Sequence, residues 1–320
     1  MADIDIFNGD ADGICALIQL RHADPRPSKL ITGVKREIAL VHKADPVGGD
    51  RITVLDISFD KNREGVRKAL AAGAEVFYVD HHYAGEIPDD DALSAIIDTD
   101  PNVCTSLLVN GYLRGKYAHW AVTGAFGDNL TASAHTIAKP LGLSTEQLSL
   151  LEKLGTYMNY NAYGSSLEDL HFAPAALFEL ARAYETPLAF IAEARETYDR
   201  LEAGYRQDMA LAASVTPARE TPRIAAFILP DEAWARRVSG VYSNDLANGF
   251  PGRAHAVLTE RADGAYLVSV RAPLEDKRGA DALCRQFPTG GGRAAAAGIN
   301  ALPGDQLEAF LDAFATWYES

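Results

Sequence analysis

Four short clusters of polar residues in the first 130 positions have the composition of a metal site. The clusters are Asn8 with Asp10 and Asp12, then Asp56, then Asp80 with His81 and His82, and finally Asp128. Carboxylates with one or two imidazoles suit Mn²⁺ or Mg²⁺ better than zinc, which favours thiolates and more histidine. Two such ions about 3.5–4 Å apart can hold a phosphate oxygen and activate a water for in-line attack. The residue types therefore predict metal-assisted hydrolysis at phosphorus, with Asp56 as the natural carboxylate to bridge two ions.

Each cluster taken alone has a plainer explanation. The stretch Asp10–Gly13 has the composition of a helix N-cap, and His81–His82 could form a surface turn. A single Asp at the end of a strand, such as Asp56, is more often structural than catalytic. Four such clusters in succession, each at a predicted strand end or beside a glycine turn, are much harder to explain in this way, and together they favour the metal site.

The elements that must position these clusters alternate between strands and helices. Short apolar runs predict strands at 3–7, 52–57, 74–82 and 93–98, and helices are predicted at 13–22, 62–72 and 103–113. This alternation is typical of a mainly parallel sheet that is covered on both faces. Ligands bind such sheets at the carboxyl ends of the strands, which is where the polar clusters lie.

The motifs "NGDADG", "LDIS", "DHH" and "GDN" occur here in the order in which they occur in the DHH phosphoesterase superfamily, and the chain resembles that superfamily over essentially its whole length. It includes RecJ-like exonucleases, nano-RNA phosphatases, cyclic-dinucleotide phosphodiesterases and inorganic pyrophosphatases. The resemblance implies two Mn²⁺ (or Mg²⁺) ions per chain. It places the first ion on Asp10 and Asp56 and the second on Asp12, Asp56, His81 and Asp128. It also places His82 near the attacking water or the phosphate, as a catalytic residue with Asp56, and Asp80 behind His81 as the residue that orients it.

Two positions depart from the superfamily pattern. Ile6 stands where the pyrophosphatases and nano-RNA phosphatases have a metal-binding histidine, and Asn8 stands where RecJ-like members have an acidic residue. Asn8 can support a metal ion with one neutral carbonyl oxygen and no charge. We therefore expect the first ion to be bound more weakly or to be completed by water.

A second constellation lies near the C-terminus. Three consecutive glycines, Gly290, Gly291 and Gly292, allow backbone N–H groups to approach an anion closely, and Arg271 and Arg293 supply cations that can fork onto a phosphate. The alternative is a merely flexible loop. The segment resembles the DHHA1 domain, in which S-x-R precedes G-G-G-H-x-x-A-A-G. Ser269, Arg271 and the three glycines match, whereas Arg293 replaces the histidine. The resemblance implies that these six residues bind the nucleotide.

The fold class expected is α/β, with two lobes and a cleft between them. Residues 1–213 form a mainly parallel DHH-type domain with a helical connector that includes helices at 144–157 and 186–213. The first of these helices is predicted to begin with a capping box of Ser144 and Gln147. Residues 214–223, with two prolines, form a linker, and residues 224–320 form a smaller α/β domain of the DHHA1 type. In that domain we expect a strand at 224–229 and a hairpin over 254–273, with Asp263–Gly264 as its tight turn.

Charge and composition indicate which kind of substrate and which cellular compartment to expect. The net charge of −14 argues against a broad basic grip on long nucleic acid, which stays possible without being favoured. Arg21, Lys29, Lys35 and Arg36 form a small basic region, which we expect to be a solvated face rather than a substrate contact. Three scattered cysteines, an acidic start without a signal peptide and the lack of a long apolar run predict a cytoplasmic protein without membrane contact. The sequence leaves a homodimer open.

These features favour a metal-dependent phosphoesterase that hydrolyses short oligonucleotides, dinucleotides or nucleotide phosphates. One alternative is a RecJ-like exonuclease specific for single strands. Another is a nucleotide-binding protein with little turnover, motivated by Ile6, Asn8 and Arg293. A Rossmann-type dehydrogenase is disfavoured because no G-x-G-x-x-G follows the first strand.

Overall fold

The computed structural model describes residues 1–319, which form two compact units. The first unit is Met1–Glu202 and the second begins at Ala203. The described residues contain strands β1 (Asp3–Phe7), β2 (Lys29–Ile31), β3 (Arg51–Leu55), β4 (Glu75–Asp80), β5 (Leu93–Ile97), β6 (Arg219–Glu220), β7 (Ile224–Leu229), β8 (Ala254–Glu260), β9 (Tyr266–Arg271), β10 (Gly290–Gly292) and β11 (Ala296–Leu302).

The α-helices alternate with these strands in the first part of each unit and follow one another without strands between residues 105 and 213. They are α1 (Ala11–Ala23), α2 (Phe59–Ala71), α3 (Thr105–Tyr112), α4 (Ala118–Gly127), α5 (Thr131–Ala138), α6 (Thr145–Ala162), α7 (Pro174–Ala181), α8 (Pro187–Glu193), α9 (Arg195–Ala213), α10 (Ala233–Gly249), α11 (Ala280–Cys284) and α12 (Leu307–Glu319). Among residues 1–319, no helix has the length and apolar character needed to cross a lipid bilayer.

The sheet of the first unit has five strands in the order β2-β1-β3-β4-β5, and every pairing is parallel. This confirms the α/β class. Phe7 at the end of β1 pairs with Leu55 at the end of β3, and Leu55 pairs with Val79 near the end of β4. Because the register aligns these three ends, the residues that follow each strand meet at one edge of the sheet.

The helical part of the first unit confirms one local prediction and corrects another. Ser144 and Gln147 form the predicted capping box at the start of α6. The predicted helix over 186–213 is two helices, because the backbone leaves helical geometry at Ala194. Thr186 caps the first of them and Pro187 begins it. Helix propensity is a weak preference, and it does not hold this Ala- and Glu-rich stretch in one piece.

The sheet of the second unit has six strands in the order β10-β11-β9-β8-β7-β6. Within the described part of this second sheet, β7 and β8 are parallel neighbours and the other pairs are antiparallel. The predicted hairpin is present as β8 and β9, and Gly264 in its turn has a φ of +78°. The segment 214–223, predicted as a linker, includes β6, which pairs with β7. Gly290–Gly292, for which a flexible loop was the alternative interpretation, form the edge strand β10.

Candidate metal centre

Asp10 lies at the start of α1, three residues beyond the end of β1. Its Oδ1 accepts a hydrogen bond from the Gly13 N–H at 3.1 Å, so Asp10 is the N-cap of α1. Its Oδ2 accepts one from the ammonium of Lys35 at 2.5 Å. Burial opposes ionisation, but Lys35 and the Gly13 N–H outweigh it and lower the pKa of Asp10. Asp10 is therefore a buried carboxylate that is held in its charged form by these two donors.

Asp12 lies two residues after Asp10, in the first turn of α1. Its side chain connects α1 to the start of α3 by hydrogen bonds. Its two carboxylate oxygens accept the backbone N–H groups of Thr105 and Ser106 at 2.8 and 2.7 Å. The side chain of Cys104, which is the N-cap residue of α3, forms no capping hydrogen bond with these N–H groups. A carboxylate at a helix N-terminus is favourable because the helix dipole is positive there. Asp12 thus fixes the position of α3 as well as adding negative charge to the site.

Asp56 follows β3 directly, in a backbone conformation that is unusual for a residue other than glycine. Its φ is +60°, in the left-handed region, which costs on the order of 1–3 kcal/mol and is concentrated at functional sites. The Asp56 N–H donates to the carbonyl of Val79, and Thr105 Oγ1 donates to Asp56 Oδ1 at 3.0 Å. Burial and the neighbouring carboxylates of Asp12 and Asp10 raise the pKa of Asp56 well above its usual range. A cation at this point would offset that repulsion.

His81 presents one ring nitrogen to the carboxylates. Its Nδ1 donates to the carbonyl of Val103 at 2.9 Å, and this bond fixes the tautomer because a carbonyl can only accept. The other nitrogen, Nε2, lies 3.4 Å from Asp56 Oδ1 and 3.8 Å from Asp128 Oδ2. In the neutral ring Nε2 carries a lone pair that faces two carboxylates, which is the geometry that a metal-binding histidine needs.

Asp80 does not orient His81, contrary to the sequence prediction. Asp80 Oδ1 accepts a hydrogen bond from His82 Nδ1 at 2.7 Å. The chain bends after β4 ends at Asp80, so the His82 ring reaches the Asp80 carboxylate, while the His81 and His82 ring centroids lie 4.4 Å apart. The backbone carbonyl of Val103 takes the orienting role that was assigned to Asp80.

Asp128 follows α4, which packs unusually closely on two other helices. A Cβ added to Gly127 would lie 2.3 Å from the Cβ of Ala11 in α1 and 2.9 Å from the carbonyl oxygen of Gly155 in α6. Only glycine allows this approach at the end of α4. Burial raises the pKa of Asp128, although Lys35 acts in the opposite direction. Close helix packing thus brings a fourth carboxylate to the sheet edge.

The side chains that meet here fit a divalent cation. Ligand atoms of Asp56, His81 and His82 lie within 4.8 Å of one another, and Asp128 approaches the same His81 nitrogen. Carboxylate oxygens with imidazole nitrogens are a donor set that Mn²⁺ and Mg²⁺ accept. Asn8 adds a further polar atom, since its buried Oδ1 accepts no hydrogen bond from any described residue, while its Nδ2 donates to the carbonyl of Lys35.

Lys35 and Arg21 are not part of a solvated basic face. Lys35 Nζ contacts Asp10 and, at 2.8 Å, Asn159 Oδ1. Arg21 is buried and forms a two-pronged ion pair with Asp5, at 2.7 and 2.8 Å. β2 has only three residues and no periodic sequence signal, so the sequence does not place the loop that follows it at the site. The contact of Lys35 with the metal centre is therefore not predictable from the sequence.

Known structures with a similar fold include two of RecJ and one of a phosphodiesterase. No family model matches the sequence, and no curated protein matches it. The exonuclease RecJ bound to manganese superimposes with a TM-score of 0.63 at 16% identity, over 98% of this chain and 89% of that one. RecJ from Thermus thermophilus in complex with Mn²⁺ gives 0.64 at 16% identity, over 98% of this chain and 52% of that one. The pGpG-specific phosphodiesterase PggH from Vibrio cholerae gives 0.56 at 13% identity, over 99% and 98%.

The chain shares the fold of these RecJ and PggH structures. This fold agrees with the resemblance that the four motifs carry. In this chain the motifs follow β1, β3, β4 and α4.

The second unit brings together the residues that resemble the DHHA1 motif. Arg271 at the end of β9 pairs with Ala296 of β11, beside the turn that begins at Arg293. Arg271 Nε donates to Asn244 Oδ1 on α10 at 2.8 Å, while Ser269 is buried two residues earlier. Arg293 is exposed.

The three glycines of β10 are not equivalent. A Cβ on Gly290 would lie 1.8 Å from the carbonyl oxygen of Cys284, and Gly292 has a φ of +137°. Gly291 has open space, with nothing within 4 Å of an added Cβ. Packing and backbone conformation therefore account for Gly290 and Gly292, and only Gly291 has its side-chain position free for an incoming group.

Proposed function

We propose that the chain is a metal-dependent phosphoesterase that hydrolyses short oligonucleotides, dinucleotides or nucleotide phosphates. The observation that carries the proposal is the convergence of Asp56, the His81 Nε2 and Asp128 at the carboxyl edge of a DHH-type sheet. Burial, together with the neighbouring carboxylates of Asp12 and Asp10, raises the pKa values of Asp56 and Asp128, so a cation would favour their charged forms. The similar structures include proteins named as an exonuclease and a pGpG-specific phosphodiesterase.

The residues of the candidate metal centre would have different roles in hydrolysis. A divalent cation held here would polarise a phosphoryl oxygen and lower the pKa of its bound water. Asp56, His81 and Asp128 would hold that cation. The nearby carboxylate of Asp12 would add negative charge that favours the cation. Hydrogen bonding to Asp80 raises the pKa of His82 although burial opposes it, so His82 favours its charged form. A protonated His82 can hydrogen-bond the phosphate or donate a proton to the leaving oxygen.

Residues of the second unit would hold the nucleotide. We assign phosphate binding to Arg271 and Arg293, whose guanidinium groups match phosphate geometry, and to the backbone at Gly291. We also assign nucleotide binding to Ser269, which lies on the same strand as Arg271. The domain limits of 1–213 and 224–320, a cytoplasmic location and a homodimer stay predictions.

The substrate proposed is short because the chain carries a net charge of −14. Binding of long nucleic acid needs many Lys and Arg contacts to phosphates. A RecJ-like exonuclease specific for single strands is the second candidate, supported by the two RecJ structures that share the fold.

One assay separates these candidates. Release of phosphate or mononucleotide would be measured with and without Mn²⁺ on pGpG, pApA, a short RNA, single-stranded DNA, 3'-phosphoadenosine 5'-phosphate, cyclic-di-AMP and pyrophosphate. Mn²⁺-dependent turnover of a dinucleotide or nucleotide phosphate supports the proposal, and turnover of single-stranded DNA alone supports the exonuclease. Absence of turnover by metal-loaded protein would favour a nucleotide-binding role. Asp56→Asn serves as the inactive control.

A further inference from the structure

The ammonium group of Lys35 lies among the carboxylates of the candidate metal centre. Its Nζ is 2.5 Å from Asp10 Oδ2 and 3.9 Å from Asp128 Oδ1. It also donates to Asn159 Oδ1 at 2.8 Å. The resemblance to DHH phosphoesterases places a metal ion on Asp10 and Asp56. In this chain a side-chain cation already contacts the Asp10 oxygen that such an ion would need.

The backbone holds Lys35 at this position from both sides. The Lys35 N–H donates to the carbonyl of Ala162 at 2.9 Å, and the Lys35 carbonyl accepts from Asn8 Nδ2 at 3.3 Å. Two residues earlier, the carbonyl of Gly33 packs so closely on Gly9 that a Cβ on Gly9 would lie 2.1 Å from it. The loop after β2 is therefore fixed against the "NGD" motif, and Lys35 is a built part of the site.

The ligand atoms that remain suffice for one ion. Asp10 uses Oδ1 to cap α1 through Gly13 and Oδ2 to bind Lys35. A divalent cation on Asp10 would have to displace the ammonium or lie next to it, and like charges in a buried site repel strongly. By contrast, the His81 Nε2 lies 3.4 Å from Asp56 Oδ1 and 3.8 Å from Asp128 Oδ2, while the Nδ1 of the same ring is bonded to the Val103 carbonyl.

We propose that Lys35 takes the place of one of the two metal ions, so that the chain binds a single divalent cation through Asp56, His81 and Asp128. This inference rests on the proposed function, because it assumes that the centre takes a divalent cation at all. It differs from the dinuclear centre that the motifs imply, and it gives the site one permanent positive charge that no chelator removes. That charge is available to a substrate phosphate whether or not metal is bound.

Metal stoichiometry tests this inference without any measurement of turnover. Mn²⁺ would be titrated into the full chain by calorimetry, and the bound ion would be examined by electron paramagnetic resonance. We expect one equivalent for the wild type, with the hyperfine signal of an isolated Mn²⁺. Lys35→Ala and Lys35→Gln free Asp10, and we expect both to bind two equivalents with the signal of an exchange-coupled pair. Lys43→Ala is the matched control and should stay at one, because Lys43 is half-exposed and pairs with Glu37.

The alternative outcomes are distinct. Two equivalents and a coupled signal in the wild type would overturn the inference and leave the proposed function standing. One equivalent in both Lys35 variants would also overturn it, since Lys35 would then not be what excludes the second ion. No binding by the wild type would overturn the proposed function with it. Asp10→Asn adds an independent check, because it should keep one equivalent if Asp10 is not a ligand, and a loss of binding would contradict the inference.

Discussion

Asp80 and His82 form a hydrogen-bonded pair of unequal burial: the carboxylate is fully buried, whereas the imidazole is about half-exposed, and Oδ1 and Nδ1 are 2.7 Å apart. Burial lowers the pKa of His82, but the bond to Asp80 outweighs it and raises the pKa above 6.5. The pair therefore stabilises the fold fully below the unfolded pKa, and this contribution is lost as the pH rises through the folded pKa.

Asp80→Asn should lower the pKa of His82, since the substitution removes the charge that favours the imidazolium. The titration of the His82 ring, followed by NMR, is expected to move to lower pH, and any limb of the pH–rate profile that reports protonated His82 should move with it. His119, whose pKa is lowered by burial alone, is the internal control and should not move. An unchanged His82 titration would contradict the assignment of Asp80 as its partner.

Asp56→Asn should abolish metal binding and turnover together while stabilising the metal-free protein. Loss of residues that merely support metal ligands costs about 10–100-fold in affinity or activity, so loss of a ligand should cost at least that much. Burial and neighbouring carboxylates raise the folded pKa of Asp56, so its ionisation destabilises the metal-free fold as the pH rises. Melting curves at pH 6 and pH 8 with EDTA would show the gain, which should be larger at pH 8.

Asp91→Asn provides the comparison for this experiment, because Asp91 is exposed and lies outside every motif. It should change neither metal affinity nor the pH dependence of melting. If Asp56→Asn retained full turnover, the metal centre would not depend on the Asp56 carboxylate, and the proposed role of Asp56 would be wrong.

Gly155→Ala should destabilise the first unit and weaken metal binding. A Cβ at this position would lie 2.3 Å from the carbonyl oxygen of Thr123, so α4 and α6 must separate and Asp128 must move. Overpacking of this kind costs about 1–3 kcal/mol. Gly111→Ala in α3 is the matched helical control: an added Cβ has nothing within 4 Å, and alanine should stabilise the helix by about 0.5–1 kcal/mol. Urea unfolding of both variants gives the comparison, and equal stabilities would refute the packing argument.

Arg271→Ala should raise KM for a nucleotide substrate without changing metal content. The guanidinium that would bind phosphate is lost, whereas the metal ligands all lie in the first unit. A single charged hydrogen-bonding group is worth about 1.5–3 kcal/mol, which corresponds to a KM increase of roughly 10–100-fold. Arg278→Ala is the control, because that arginine is exposed and pairs with Asp276. Loss of metal from Arg271→Ala would contradict the separate roles of the two units.

The parts of the fold that the sequence predicts best have strong local signals. β1 and β7 have the bounds that their apolar runs predict, the Ser144 capping box is present, and the Asp263–Gly264 turn joins a hairpin. Each of these depends on residues within a few positions of one another. Spacing and side-chain chemistry were enough to place them.

The features that the sequence does not predict depend on contacts between residues that are distant in sequence. β2 has three residues and β10 is three glycines, so neither shows an apolar alternation, and each forms only because a neighbouring strand offers hydrogen bonds. The Val103 carbonyl that orients His81 is a backbone atom that exists at every position, so no residue type marks it. Lys35 was placed with surface cations because the loop that carries it follows the unrecognised β2.

The bonds from Thr105 and Ser106 to Asp12 close loops of 93 and 94 residues. The first turn of α3 therefore acquires its acceptors only after the chain from the first motif to α3 has come together, and these contacts should form late in folding. Their amide protons become built-in reporters: hydrogen–deuterium exchange at Thr105 and Ser106 should slow only in molecules whose acidic edge is assembled. Exchange at those two positions can thus follow the maturation of the site in real time, with no substrate present.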